Sequence, residues 1–223
     1  MTALDTSGAP RVSSNSSVAK TVAGLVLCLG VGSLPFPVWD NELADTRHLV
    51  ANEVIYWILV ALVLAHVRRV EGLPLASIGL RRPSWRDALI AALFAIAIVA
   101  GLGVILLVVF PALHVDMSGK LDRMMAAPGW WLLISVVRAG VSEEILFRGY
   151  PIERLQAWTG SRFVAAIVPL AAFSLAHVGS WGWSHLVVAA FGGGMLTVLY
   201  LWRRNLWANI VAHCIVDGVA FLS

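Results

Sequence analysis

Seven apolar runs divide this 223-residue chain, and most are long enough to span a hydrocarbon layer as helix. They cover Val18–Leu34, Leu49–Val67, Ala88–Phe110, Gly129–Tyr150, Phe163–Val178, Ser184–Trp202 and Leu206–Leu222. In lipid every backbone N–H and C=O must be satisfied within the protein, so only helices and closed barrels span. Runs of this length lack the alternating pattern of barrel strands. The fold class expected is therefore all-α, a polytopic transmembrane helical bundle of about seven spans. The first, fifth and last runs are short and imply tilt, extension or incomplete crossing. Composition agrees: 59% of residues are hydrophobic and 13% charged, against about 45–50% and about 25% in soluble domains.

Residues 1–17 are polar, rich in Ser and Thr and without periodicity, and read as a disordered tail. The long polar lead makes the first apolar run a retained helix rather than a cleaved signal. The remainder divides into amino-terminal spans over 18–127 and a core over 128–223. Basic residues mark every second connection: Arg11 and Lys20, then Arg68, Arg69, Arg81, Arg82 and Arg86, then Arg154 and Arg162, then Arg203 and Arg204. The other connections are acidic, balanced or uncharged: Asp40, Glu42 and Asp45 against Arg47; Asp116 and Asp122 against Lys120 and Arg123; and 179–183 with no charge. By the positive-inside rule this alternation predicts a cytoplasmic amino terminus and an external carboxyl terminus. Trp130, Trp131, Trp181, Trp183, Trp202 and Trp207 stand at run ends, as an aromatic belt requires. The net charge of +3 is spent on these loops and gives no reason to expect a nucleic-acid partner. Arg far outnumbers Lys, which points to a GC-rich bacterial genome and hence to a bacterial inner membrane. Cys28 and Cys214 lie in apolar runs without a CxxC pair and read as small hydrophobes.

Three patches place ionisable groups inside the apolar runs, where a charge at mid-bilayer costs at least about 2.5–3.5 kcal/mol. The first is Glu143-Glu144-x-x-x-Arg148. Glu144 and Arg148 are i and i+4, share a helix face and can pair. Glu143 points about 100° away, lacks that partner and is better placed to accept a proton. The second patch is Phe173-x-x-x-His177, which sets an aromatic ring beside an imidazole on one face. The third, His213-x-x-x-Asp217, offers two metal ligands, an imidazole with its orienting carboxylate, or hydrogen bonds to a developing oxyanion. Arg138 is expected in an ion pair, with Asp217 or a substrate carboxylate as candidate partners. Glu53 and His66 are expected at the interface, and His48, His114 and His185 have no assignable partner. The triple glycine 192–194 predicts close helix packing. The chain has no HExxH or GxSxG motif in a suitable span, which leaves Glu plus His chemistry.

Together, in this order over 128–222, the three motifs resemble the CPBP family: CAAX proteases and bacteriocin-processing enzymes, also called Abi, related to the Ras-converting CAAX endopeptidase. The third motif often ends in Asn in that family and here ends in Asp217. An Ile78-Gly79-Leu80 segment is the other point of likeness. The resemblance implies an intramembrane endopeptidase acting on a membrane-embedded or lipidated substrate, possessing a prenylated CAAX tail in one version. Glu143 would be general base and His177 would help hold the water. His213 and Asp217 would stabilise the oxyanion, while Glu144, Arg148 and Phe173 support the site. Two mechanisms fit: direct activation of water by Glu143 and His177, or a Zn²⁺ ion held by Glu143, His177 and His213. Two other classes use the same buried groups: a catalytically silent scaffold or immunity protein, and a proton-coupled carrier. Depth is a tension, because by counting along the spans His177 lies nearer the opposite end from Glu143, unless the fifth span begins near Pro169 or the helices tilt strongly.

Overall fold

The computed structural model describes residues 15–34 and 46–222. Most of the predicted tail, and the Asp40, Glu42 and Asp45 connection, lie outside these residues. The described chain is helical throughout: α1 (15–33), α2 (Thr46–Val70), α3 (Trp85–Ala112), the short α4 (Ser118–Met125), α5 (129–159), α6 (Arg162–Trp181), α7 (His185–Arg203) and α8 (Leu206–Leu222). Each expected run is found as helix. Four helices, α2, α3, α6 and α7, are long and apolar enough to cross a membrane; α1 and α8 are apolar but shorter. Helix α5 is long enough but carries Arg138, Glu143, Glu144 and Arg148 through its middle.

Apolar side chains face outward to an extent that water would not tolerate. Ile96, Leu107 and Val108 of α3 are largely exposed, as are Ile58 and Leu62 of α2. Polar groups are inside: Glu144 and Arg148 are fully buried, beside Asn209, Arg138 and Glu53. This inversion suits a lipid solvent, where the apolar side chain costs nothing to expose and the charge must find a partner. Trp85, Trp130, Trp183, Trp202 and Trp207 are exposed near helix ends, in keeping with an interfacial belt. Trp131 departs from that expectation. It is fully buried, packed with Leu49, Met124 and Leu132.

Local chemistry explains the helix ends and turns. Ser84 caps α3 with a capping box: its Oγ accepts from the Asp87 amide and its own amide donates to the Asp87 carboxylate. The same carboxylate accepts from Arg203 at 2.9 Å and from Asn205 at 3.0 Å, which ties the start of α3 to the α7–α8 connection. The Leu206 amide donates to the Gly79 carbonyl at 2.8 Å, so the Ile78-Gly79-Leu80 segment docks at that same end. Glu71 receives Arg154 through both oxygens and the Tyr150 hydroxyl at 2.7 Å. Arg204 pairs with Glu153 at 3.0 Å. The Arg-rich connections before α3, within α5 and after α7 thus gather at one end of the bundle.

Two helices widen into a π turn just before a proline: Ile105–Val109 ahead of Pro111, and Ile145–Gly149 ahead of Pro151. A proline has no N–H and its ring collides with the carbonyl four residues back. Those carbonyls, of Leu107 and Phe147, lie inside the widened turns; α1 and α2 widen likewise at Val26–Gly30 and His66–Val70, without a proline in the helix. By contrast α6 runs unbroken from Arg162 through Pro169, so the fifth span does not restart there. Helix α8 packs against α3 and α5, α6 against α7, and α2 against α5. The polar groups of α2, α5, α6 and α8 therefore converge at the bundle centre.

Candidate functional site

The site is built around Glu144. Its Oε1 accepts from Arg148 Nη1 at 2.8 Å and from His213 Nδ1 at 2.8 Å; its Oε2 accepts from Asn209 Nδ2 at 3.0 Å. Arg148 also donates to the Gly193 carbonyl at 3.3 Å and lies over the Phe173 ring at 4.2 Å. The expected Glu144–Arg148 pair is present and fully enclosed. Gly193 makes the enclosure fit. A methyl group at that position would meet Phe173 Cδ1 at 2.8 Å and Arg148 Nη2 at 3.0 Å. Close approach is thus the role of Gly193, while a methyl group at Gly192 or Gly194 would meet nothing nearer than 3.9 Å.

His213 is oriented by this arrangement. A carboxylate only accepts, so Nδ1 carries the proton toward Glu144 and Nε2 is turned to the other side. There it faces Asp217 Oδ2 at 3.5 Å and Glu143 Oε2 at 3.8 Å. The i, i+4 relation of His213 and Asp217 delivers both to one face, as expected. Asn209 extends that face by one more turn, and its amide also donates to the Leu196 carbonyl at 2.7 Å. Sequence reasoning passed over Asn209, although the spacing 209, 213, 217 is an i, i+4, i+8 polar stripe on an apolar helix.

His177 donates Nδ1–H to its own helix at the Phe173 carbonyl, 2.8 Å away, which leaves Nε2 as the acceptor in the neutral ring. Its ring packs on Phe173 at 4.4 Å and stacks on His185 at 5.6 Å, with planes 15° apart. His185 also stacks on Trp181 at 4.9 Å, so the expectation that it lacks an assignable partner is corrected. The predicted mismatch in depth is absent. Glu143 and His177 line one cavity of about 90 Å³, with Arg138, Asn52, Tyr56 and Phe147 also in its wall. Glu143 itself is half-buried.

Arg138 forms a structural ion pair, as expected. Its partner is Glu53, not Asp217: Nε approaches Glu53 Oε1 at 3.4 Å, Nη1 stands 4.0 Å from Glu143 Oε1, and the guanidinium lies over Tyr56 at 4.5 Å. Glu53 is accordingly buried rather than interfacial. Its position two turns into α2 hinted at this, but the partner is 85 residues away. His66 is held at the far end of α2, bonded to the Lys20 carbonyl at 3.0 Å and 3.9 Å from Glu71.

The zinc set does not assemble. Among the described residues no group of three or more His, Cys, Asp or Glu is disposed to hold a metal ion. A metal centre at Glu143, His177 and His213 therefore does not fit this arrangement, and no step below is routed through one.

The polar site can position a water, accept its proton at a carboxylate, and offer an imidazole to a developing negative charge. No curated protein and no solved structure matches the chain. Residues 125–219, which contain all three motifs, match the family model described as type II CAAX prenyl endopeptidase Rce1-like. That stretch of the chain is similar to this family, in agreement with the CPBP resemblance read from its motifs.

Proposed function

We propose that this protein is an intramembrane endopeptidase that hydrolyses a peptide bond of a membrane-associated, CAAX-type substrate. The observation that carries the reading is the convergence of Glu143, His177, His213 and Asp217 on one polar centre inside a lipid-facing bundle. The Rce1-like match over the same residues supports it at the level of the protease class.

In this mechanism a water rests between Glu143 and His177 Nε2. Glu143 takes one proton as the water oxygen attacks the scissile carbonyl carbon. The carbonyl oxygen becomes an oxyanion on the His213 side, where the imidazolium form of His213 donates Nε2–H to it while Nδ1–H stays on Glu144, with Asp217 beside the ring. Collapse of the tetrahedral species breaks the C–N bond, and Glu143 returns its proton to the leaving amine. Glu144, Arg148, Asn209 and Phe173 act as the frame: they fix the orientation of the His213 ring and the angle between α5 and α8.

The membrane arrangement we propose has seven crossings, a cytoplasmic amino terminus and residence in a bacterial inner membrane. The gathering of Arg68–Arg86, Arg154 and Arg203–Arg204 at one end supports it. The substrate reaches the site as a membrane-embedded or lipidated peptide, because the surface around the site is apolar.

The test is cleavage of a farnesylated fluorogenic peptide ending in a CAAX box, using purified protein in micelles. Wild type cleaves, and Glu143→Ala does not while retaining its melting behaviour. Full activity in Glu143→Ala would remove the base from the mechanism. Proton flux in liposomes without cleavage would instead favour a carrier.

A further inference from the structure

Arg138 is held unlike four other buried or half-buried arginines of this bundle. Arg148, Arg154, Arg203 and Arg204 each close on a carboxylate at 3.0 Å or less. Arg138 is suspended between two carboxylates, 3.4 Å from Glu53 and 4.0 Å from Glu143, with the Tyr56 ring beneath it. Glu53 and Tyr56 are i and i+3 on α2 and so present one face to α5. Both lie outside the matched stretch 125–219.

A carboxylate in a closed guanidinium pair has given up lone pairs that a general base needs. Arg138 is close enough to Glu143 to close on it by a small side-chain movement. We infer that Glu53, with Tyr56, is a positioning residue: it holds the Arg138 guanidinium short of a closed pair, so that Glu143 keeps its oxygens facing the cavity. This role rests on the hydrolase reading above. It gives α2 a part in the reaction that the three motifs do not contain.

The experiment measures kcat and KM on the farnesylated CAAX peptide for wild type, Glu143→Ala, Glu53→Gln, Arg138→Gln and the double variant Glu53→Gln/Arg138→Gln. Glu53→Gln frees Arg138 to capture Glu143. Its kcat should fall about a hundred-fold, the lower end of what a general base contributes, with KM little changed. The double variant has no guanidinium to capture the base, and its kcat should recover to well above that of Glu53→Gln. A purely structural role predicts the reverse, since the double variant removes more of the same network. Should Glu53→Gln melt below the assay temperature, Tyr56→Leu removes the aromatic half of the hold on the same guanidinium and should lower kcat in the same direction by a smaller factor. Wild-type kcat in Glu53→Gln, or a double variant no faster than that single, overturns the role while leaving the hydrolase intact. Absence of wild-type cleavage, or full activity in Glu143→Ala, overturns the hydrolase reading and this role with it.

Discussion

Replacing Arg148 by Met strips the charge from the most enclosed ion pair in the bundle while keeping an unbranched apolar stem. Glu144 would then be a buried carboxylate left with two donors, Asn209 and His213, and no guanidinium. Breaking a fully buried pair on one side costs about 3–5 kcal/mol, because the remaining charge is uncompensated. Loss of the guanidinium from the Phe173 face, 4.2 Å away, adds about 1 kcal/mol. A total of about 4–6 kcal/mol corresponds to a melting shift of roughly 10–20 °C for a chain of this size. The double variant Glu144→Gln/Arg148→Met removes both charges and should be the milder change, since a neutral replacement of a buried pair is often tolerated. The assay is thermal unfolding in detergent, followed by loss of monodisperse protein, for the two single variants and the double. The expected coupling is about 2 kcal/mol or more between the positions. Melting of Arg148→Met within about 2 °C of wild type, or strictly additive losses in the double variant, would refute the reasoning.

Three other outcomes follow from the same geometry. Gly193→Ala should lose about 1–3 kcal/mol through overpacking against Phe173 and Arg148, read as a lower melting temperature. Asn209→Ala leaves Glu144 Oε2 and the Leu196 carbonyl without their donor and should cost about 1–3 kcal/mol, with cleavage slowed as His213 loosens. Asp217→Asn should retain cleavage within about ten-fold of wild type, since an amide can still hold His213 and can itself donate to an oxyanion; Asp217→Ala should be markedly slower in the same peptide assay.

What could be read from the sequence was what is local. The helix spans follow from apolar run length, and α8 matches its run at both ends. The pairs Glu144–Arg148, Phe173–His177 and His213–Asp217 are all i, i+4, so helix periodicity alone puts each on one face. The relation of Glu53 to Arg138 could not be read this way, because it joins two helices whose packing no single sequence discloses. The same holds for His185 on His177, across the turn from α6 to α7. Glu143 looked unpartnered for the same reason: Arg138 and His213 reach it only through the fold. The expected mismatch in depth between Glu143 and His177 came from counting residues along each span, whereas one cavity is lined by both.

The central claim is that Glu143 powers peptide-bond hydrolysis in the membrane. The most direct measurement compares protein termini by mass spectrometry in membranes expressing wild type or Glu143→Ala at equal levels. The account predicts new carboxyl termini on membrane-associated proteins with wild type alone, at sites that name the substrate. Identical termini in the two membranes, with the farnesylated CAAX peptide also left uncut by the purified wild type, would contradict it.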